Sequence, residues 1–157
     1  MESETMTLDE FDRKILNTLQ KDGRMKSHEL AEATALSASQ CARRRRRLEK
    51  LGVIKSYRAC LSKRKIGLGI SAFIQISLND HNPKSTSAFT RLLETNSSIL
   101  EACKLTGATD FLLRVATADL DEMNQLISQV LLPHPSVSHV QSHVVLEWLK
   151  EDPLLPV

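Results

Sequence analysis

Arg43–Arg47 form an unbroken run of five arginines inside a segment that carries its own helix-start signals. Five guanidinium groups cannot enter a core together, so most of this helix surface has to stay wet or face an anion. Ser37 supplies an N-cap, and Gln40, three residues later, completes a capping box. Leu36 and Cys41 occupy the hydrophobic-staple positions, which gives Cys41 a packing role. With Cys41 set at 0°, a turn of about 100° per residue places Leu48 at about 340° and Leu51 at about 280°. Arg43, Arg46 and Arg47 then fall at about 200°, 140° and 240°, on the outer face with Ser39 and Gln40. Arg44 is marginal. Arg45 points toward the apolar side, where it must snorkel or pair, with an acidic residue of another helix as the expected partner.

Two further helices are predicted before this one. Thr7 and Glu10 fit a capping box, with Thr7 as N-cap, opening a helix over residues 8–21. Its apolar stripe is Phe11, Ile15 and Leu19, flanked by Leu8 and Leu16. Ser27 caps a second, shorter helix whose inner face is Leu30, Ala31 and Ala33, and a tight turn over 34–36 follows. Two short helices joined by such a turn form a helix-turn-helix, with the arginine helix as its recognition helix. Gly52 suits the position just past that helix, and residues 53–57 and 58–61 read as two short strands of a wing. The charge distribution agrees. Residues 1–65 hold 16 Lys/Arg against 9 Asp/Glu, and residues 66–157 hold 5 against 10. A basic front half suits a polyanion, and the acidic back half has another task. The candidate DNA-binding residues are Ser37, Ser39, Gln40, Arg43, Arg44, Arg46 and Arg47. Arginine can grip guanine through two bonds and glutamine can grip adenine.

Residues 66–69 read as a hinge. A strand over 71–78 alternates Ala72, Ile74, Ile76 and Leu78 on one face. Helix 83–94, strands 99–106 and 111–116, a helix over 120–131 capped by Asp119, and a strand over 137–146 complete a βαββαβ order, the ferredoxin-like motif. The fold class is therefore α+β: a winged helix-turn-helix over residues 1–65, then a ferredoxin-like effector-binding and oligomerisation domain over 66–157. Both helices cover one sheet face. The other is expected to carry Phe73, Leu100, Ala102 and Leu112 beside Gln75, Lys104 and Arg114, a mixed surface suited to burial against a second subunit.

Several chemistries are excluded. Three dispersed cysteines without a CxxC pattern give neither a disulfide framework nor a zinc site. His139 and His143 share a strand face but lack a third ligand at metal spacing, so a packed or interface pair is expected and no metal. No P-loop, GxGxxG or nucleophile elbow is present, and no cofactor is implied. The polar, acidic start is not a signal peptide, and no apolar run approaches ~20 residues, so a cytoplasmic protein without a membrane partner is expected. Trp148 and the tail to Val157 are expected to pack on a neighbour or fray.

The stretches Leu8–Leu16, Leu36–Ser39, Arg47–Ile54, Ile66–Gly67 and Thr106–Asp110 occur in an order that resembles the Lrp/AsnC (feast/famine) family of transcriptional regulators. The resemblance covers residues 8–146, and Arg45 departs from it where many relatives have an apolar residue. It implies double-stranded DNA bound by paired N-terminal domains, and homodimers built through the C-terminal domains, assembling to tetramers or octamers. It also implies an amino-acid-like effector held between dimers near the turn between the second and third strands. Carried over by position, the effector residues are Leu105, Thr106, Gly107, Thr109, Asp110 and Ser142, with Asp110 suited to an α-ammonium group. The expected function is a sequence-specific, effector-responsive, nucleoid-associated regulator that is not an enzyme. Two alternatives stand beside it: a tetrapyrrole (siroheme-type) decarboxylase of similar architecture, and a nonspecific chromosome-compacting protein.

Overall fold

The structure, a computed structural model, describes residues 7–79, 82–151 and 154–157. These group into two compact units: residues up to Cys60 together with those from Lys150 onward, and Leu61–Leu149. The tail expected to lie with the second half thus belongs to the first unit.

The first unit is built on α1 (Glu10–Lys21), α2 (Ser27–Thr34) and α3 (Ala38–Lys50). Ile15, Leu16 and Leu19 of α1 close over Leu30 of α2 and Cys41 and Leu48 of α3. The α1 cap is Asp9 rather than Thr7: its carboxylate accepts the Asp12 amide at 2.8 Å, and the helix starts at Glu10. Ser27 is likewise not a cap but the first helical residue, while Glu29 accepts the Lys26 amide from inside the helix. The inner face of α2 uses Thr34, which is buried, where Ala33 is exposed. The Thr34 hydroxyl bonds the Leu30 carbonyl and lies 3.4 Å from Cys41 Sγ. Ala35 ends α2 at φ 58°, the sharp corner of the helix-turn-helix. Gly52, at φ 71°, closes α3 as expected. The two wing strands do not form: residues 53–62 run without a ladder among the described residues.

The second unit begins with a 3-10 turn (Lys63–Ile66) and Gly67 at φ 88°. Gly69 then passes so close to Ala118 that a Cβ there would stand 2.8 Å from its carbonyl oxygen. The order is β1 (Ile70–Leu78), α4 (Pro83–Thr95), β2 (Ile99–Lys104), β3 (Phe111–Thr117), α5 (Leu120–Gln125) and β4 (Val137–Val144). The helix of α5 widens at Leu126 into a π-helical turn over Leu126–Leu131. The antiparallel sheet runs β2-β3-β1-β4, the ferredoxin-like order. Ile74, Ile76, Leu113 and Val115 face Phe89 and Leu93 of α4 and Met123, Leu126 and Leu131 of the second helix.

The open sheet face differs from expectation at β2. An irregularity between Ile99 and Glu101 shifts the register by one residue, so Glu101 and Cys103 pair with Arg114 and Leu112 on the open face. Ala102 and Lys104 pair with Leu113 and Phe111, which face the helices. A one-residue shift inverts every side chain beyond it, which is why Ala102 and Lys104 are not open-face residues, while Leu100 sits at the irregularity itself. Phe73, Gln75, Leu112 and Arg114 lie on that face as expected. Trp148 neither frays nor waits for a neighbour: its ring packs edge-on against Phe73 at 5.9 Å, with the Lys63 ammonium 5.1 Å from its centre.

Candidate nucleic-acid interface and effector region

The sequence of α3 starts from a cap that works as predicted. Ser37 Oγ accepts the Gln40 amide at 3.2 Å, and Gln40 Oε1 accepts the Ser37 amide at 3.0 Å. Ser39 lies 3.0 Å from Ser37 Oγ, and all three side chains are exposed on the first turn. The Gln40 oxygen is therefore engaged in the cap, and a two-bond grip on adenine requires it to leave.

The five arginines divide sharply. Arg44 donates to Asp9 Oδ2 at 2.7 Å and to Asp12 Oδ1 at 2.8 Å. Arg47 donates to Asp12 Oδ2 at 3.1 Å while keeping its side chain 48% exposed. Asp12 is 1% exposed, so one buried carboxylate is bracketed by two guanidinium groups, the arrangement that makes a buried charge tolerable. Arg45 turns inward as its wheel position required, but its partners are Glu49 of its own helix (3.1 Å), the Met25 carbonyl (2.9 Å) and the Tyr57 hydroxyl (2.9 Å). Its guanidinium also lies 4.6 Å from the Tyr57 ring centre. Among the described residues the Arg46 side chain bonds only the Ala42 carbonyl, within the helix, and the Arg43 side chain makes no hydrogen bond. Both are exposed, as are Lys55 and Arg58 beyond the helix.

Protonation follows this wiring. The Asp12 amide, then Arg44, hold the Asp9 carboxyl below the usual carboxylate range. Asp9 and Asp12 in turn push Arg44 above the ordinary guanidinium value. Burial, then the bond to Glu49, raises the Tyr57 phenol against the opposing pull of Arg45. The Asp9–Arg44 pair is thus charged throughout the physiological range.

Sequence reasoning missed Asp12 and Tyr57. A signal for Asp12 existed: it precedes Ile15 by three and Leu16 by four, which puts a carboxylate on the apolar face of α1. Tyr57 carried no comparable signal, since its role arises from a fold-back of the chain after α3.

In the second unit, Leu105–Asp110 form the β2–β3 turn. The Leu105 amide donates to the Asp110 carbonyl (2.8 Å), and the Asp110 amide donates to Ile76 (2.9 Å). Asp110 Oδ2 accepts the Leu78 amide at 2.7 Å, so the carboxylate fastens the turn to the end of β1. Gly107 holds φ 113°, a region that disfavours a side chain. Leu105, Thr106 and Gly107 are exposed, and Thr109 is half-buried. Ser142 is exposed on β4 opposite Ile74, and no hydrogen bond joins it to the turn among the described residues. The turn residues are brought together, whereas Ser142 lies on the far edge strand of the sheet.

His139 and His143 pair with Ser77 and Phe73 on the open sheet face. Among the described residues no group of three His, Cys, Asp or Glu side chains is placed to hold a metal, and no helix is long and apolar enough to cross a membrane.

Comparisons with known proteins agree with both halves. A winged helix-turn-helix DNA-binding profile matches residues 8–55, and the Lrp/AsnC ligand binding domain profile matches residues 71–155. The leucine-responsive regulatory proteins of Escherichia coli K12 and Salmonella typhimurium are each 35% identical over 144 residues, 92% of this chain and 88% of theirs. A transcriptional regulator of Neisseria meningitidis, solved in complex with L-methionine, superposes with a TM-score of 0.92 at 37% identity, covering 96% of this chain and 97% of its own. An AsnC family transcriptional regulator from Agrobacterium tumefaciens gives 0.89 at 28% identity, over 95% and 97%.

Proposed function

We infer a mechanism from one premise: the chain belongs to the Lrp/AsnC family, as a transcriptional regulator with a DNA-binding helix-turn-helix and an amino-acid-binding domain. In our reading α3 enters the major groove of double-stranded DNA, with Arg43 and Arg46 as its foremost contacts. Arg47, Ser39 and Gln40 flank them, and Ser37 serves as the cap. The observation that carries this is the division of the arginines: Arg43 and Arg46 point outward without ion partners among the described residues, while Asp9 and Asp12 fix the helix from behind. In our reading Arg44, a contact candidate by sequence, serves this scaffold instead, since it bonds Asp9 and Asp12.

The effector is an amino acid, held at the turn of Leu105, Thr106, Gly107, Thr109 and Asp110. Ser142 of a second copy would complete the site, since within one chain it lies on the other edge of the sheet. The mixed open face, with half-buried Phe73 and an Arg114 Nε that is buried without a hydrogen-bond partner among the described residues, supports a homodimer through the sheets. Further assembly to tetramers or octamers would change the spacing of paired recognition helices when the effector binds. The relatives are transcriptional regulators, which favours a non-enzymatic role in the nucleoid over tetrapyrrole decarboxylation.

The test is a gel shift on the protein's own upstream DNA, across a salt series and with each amino acid in turn. About four phosphate contacts per subunit give a dimer a log–log salt slope of roughly −7. We expect a slope of that order, a scrambled fragment bound far more weakly, and a shifted midpoint with at least one amino acid. Equal affinity for scrambled DNA with no amino-acid response would favour nonspecific compaction. A new visible absorbance band with a tetrapyrrole and no DNA shift would favour the enzyme.

A further inference from the structure

Residues 154–157 lie along α1 and are read by two side-chain amides. Gln20 addresses residue 155 at both backbone groups: its Nε2 donates to the Leu155 carbonyl at 3.1 Å, and its Oε1 accepts the Leu155 amide at 2.6 Å. Asn17, one turn earlier on the same helix face, donates through Nδ2 to the Val157 carbonyl at 2.9 Å. The Val157 side chain packs against the helix-turn-helix core, whereas Leu155 is 69% exposed. Leu154, Leu155 and Pro156 are all exposed, so Val157 is the one inward side chain of residues 154–157, and the bonds at 155 and 157 grip backbone groups two residues apart, as they would on one side of an extended segment. A two-bond amide grip on a backbone, followed by an apolar socket two residues on, is how extended peptides are recognised: main-chain bonds supply affinity and one pocket supplies selectivity.

We propose that the α1 face bearing Asn17 and Gln20 is a receptor for an extended apolar peptide, that its occupant is this chain's own residues 154–157, and that the contact is a latch on the DNA-binding unit. Among the described residues the buried apolar cluster of that unit is Ile15, Leu16, Leu19, Leu30, Cys41 and Leu48. A core so small gains disproportionately from each added segment. The latched helix also carries Asp9 and Asp12, which hold Arg44 and Arg47. Occupancy of the receptor and alignment of the arginine helix therefore act through one element. The occupant leaves the sheet-bearing unit at Leu149, shortly after Trp148 docks on Phe73. A change at the end of that sheet has a short covalent path to α1.

The experiment is amide hydrogen exchange on the full chain, on an Asn17→Ala/Gln20→Ala variant and on a chain ending at residue 153, each also assayed for operator binding. Both variants should exchange the α1 amides faster by about tenfold or more, the signature of a local opening made easier. The peptide Leu-Leu-Pro-Val, matching residues 154–157, should restore protection to the shortened chain and leave the Asn17→Ala/Gln20→Ala variant unchanged. Operator affinity should fall in both variants, and the peptide should recover it in the shortened chain alone. Unchanged exchange in both variants, or a shortened chain that the peptide fails to protect, overturns the receptor. Faster exchange with unaltered operator affinity overturns the latch. The exchange readout needs no DNA, so its failure leaves the DNA-binding reading standing.

Discussion

The arginine helix and the β2–β3 turn both present charged residues on exposed local structure, yet they use them in different proportions. In α3, Arg44, Arg45 and Arg47 are bonded to carboxylates and Arg43 and Arg46 face outward. In the turn, the one carboxylate is already bonded to the Leu78 amide. The difference teaches that a charge in a motif is not yet a charge offered to a ligand. In α3 holding and touching are divided between residues. In the turn, the reading we propose asks Asp110 to do both.

The largest effect should come from the holding side of α3. Asp12→Ala removes the acceptor shared by Arg44 and Arg47 and leaves Arg44, whose side chain is 22% exposed, with only the rim carboxylate of Asp9. Breaking a buried ion pair from one side typically costs ~3–5 kcal/mol. The helix-turn-helix should therefore melt well before the rest of the chain in calorimetry, where the native protein should not show that early transition. A single unshifted transition would mean that Asp12 is not the keystone of α3.

Next comes the touching side. Arg43→Ala/Arg46→Ala should leave the melting temperature unchanged while lowering DNA affinity, and it should flatten the salt slope by roughly two per subunit. Arg45→Ala should do the reverse, weakening the hold on Met25, Glu49 and Tyr57 with little change in slope. If Arg45→Ala flattened the slope as much as the outward pair, the division of labour in α3 would be wrong.

Much of this division was legible only in part, for reasons that are physical. The Ser37–Gln40 cap depends on residues three apart, so sequence alone suffices to find it. The βαββαβ order follows from periodicities of two and of about 3.6, which need no partner to be read. The phase of β2 was not legible, because the irregularity after Ile99 exists only when β2 pairs with β3. Thr7 and Asp9 are both good caps, and the choice falls to Asp9, which alone of the two is bonded to Arg44, a residue 35 positions away. The wing strands failed for a related reason: β-propensity in Val53 and Ile54 forms no ladder without a partner, and those side chains pack on the helical core instead.

The turn can be tested by separating its two duties. Asp110→Ala loses both the acceptor for the Leu78 amide and the charge for an ammonium group. It should cost ~1–3 kcal/mol for the orphaned amide and also abolish the amino-acid response. Asp110→Asn keeps an oxygen for Leu78, so stability should largely return while the response stays weak. A full response in Asp110→Asn, measured by the same gel shift, would move the effector's ammonium partner elsewhere.

The smallest expected effect is also the cleanest probe of the inward face of α3. Tyr57 is the one tyrosine in the sequence, so the ultraviolet absorbance of phenolate reports it alone. Its hydroxyl donates to Glu49 at 2.8 Å and accepts from Arg45 at 2.9 Å. Burial and Glu49 favour the protonated phenol, Arg45 opposes them, and the balance lies above the ordinary value of 10.0. A raised folded value means that the stabilisation is in place below the unfolded value and is lost as pH climbs through the folded one. Tyr57 is 43% exposed, so solvent screens most of this, and the titration midpoint is a better readout than stability. The midpoint should lie above 10.0 in the native chain, fall in Glu49→Gln, and rise in Arg45→Gln. Opposite movements of those two variants would show that Arg45 and Glu49 grip the phenol from opposite electrostatic sides. Two variants that left the midpoint in place would detach Tyr57 from α3, and with it the reason that Arg45 faces inward.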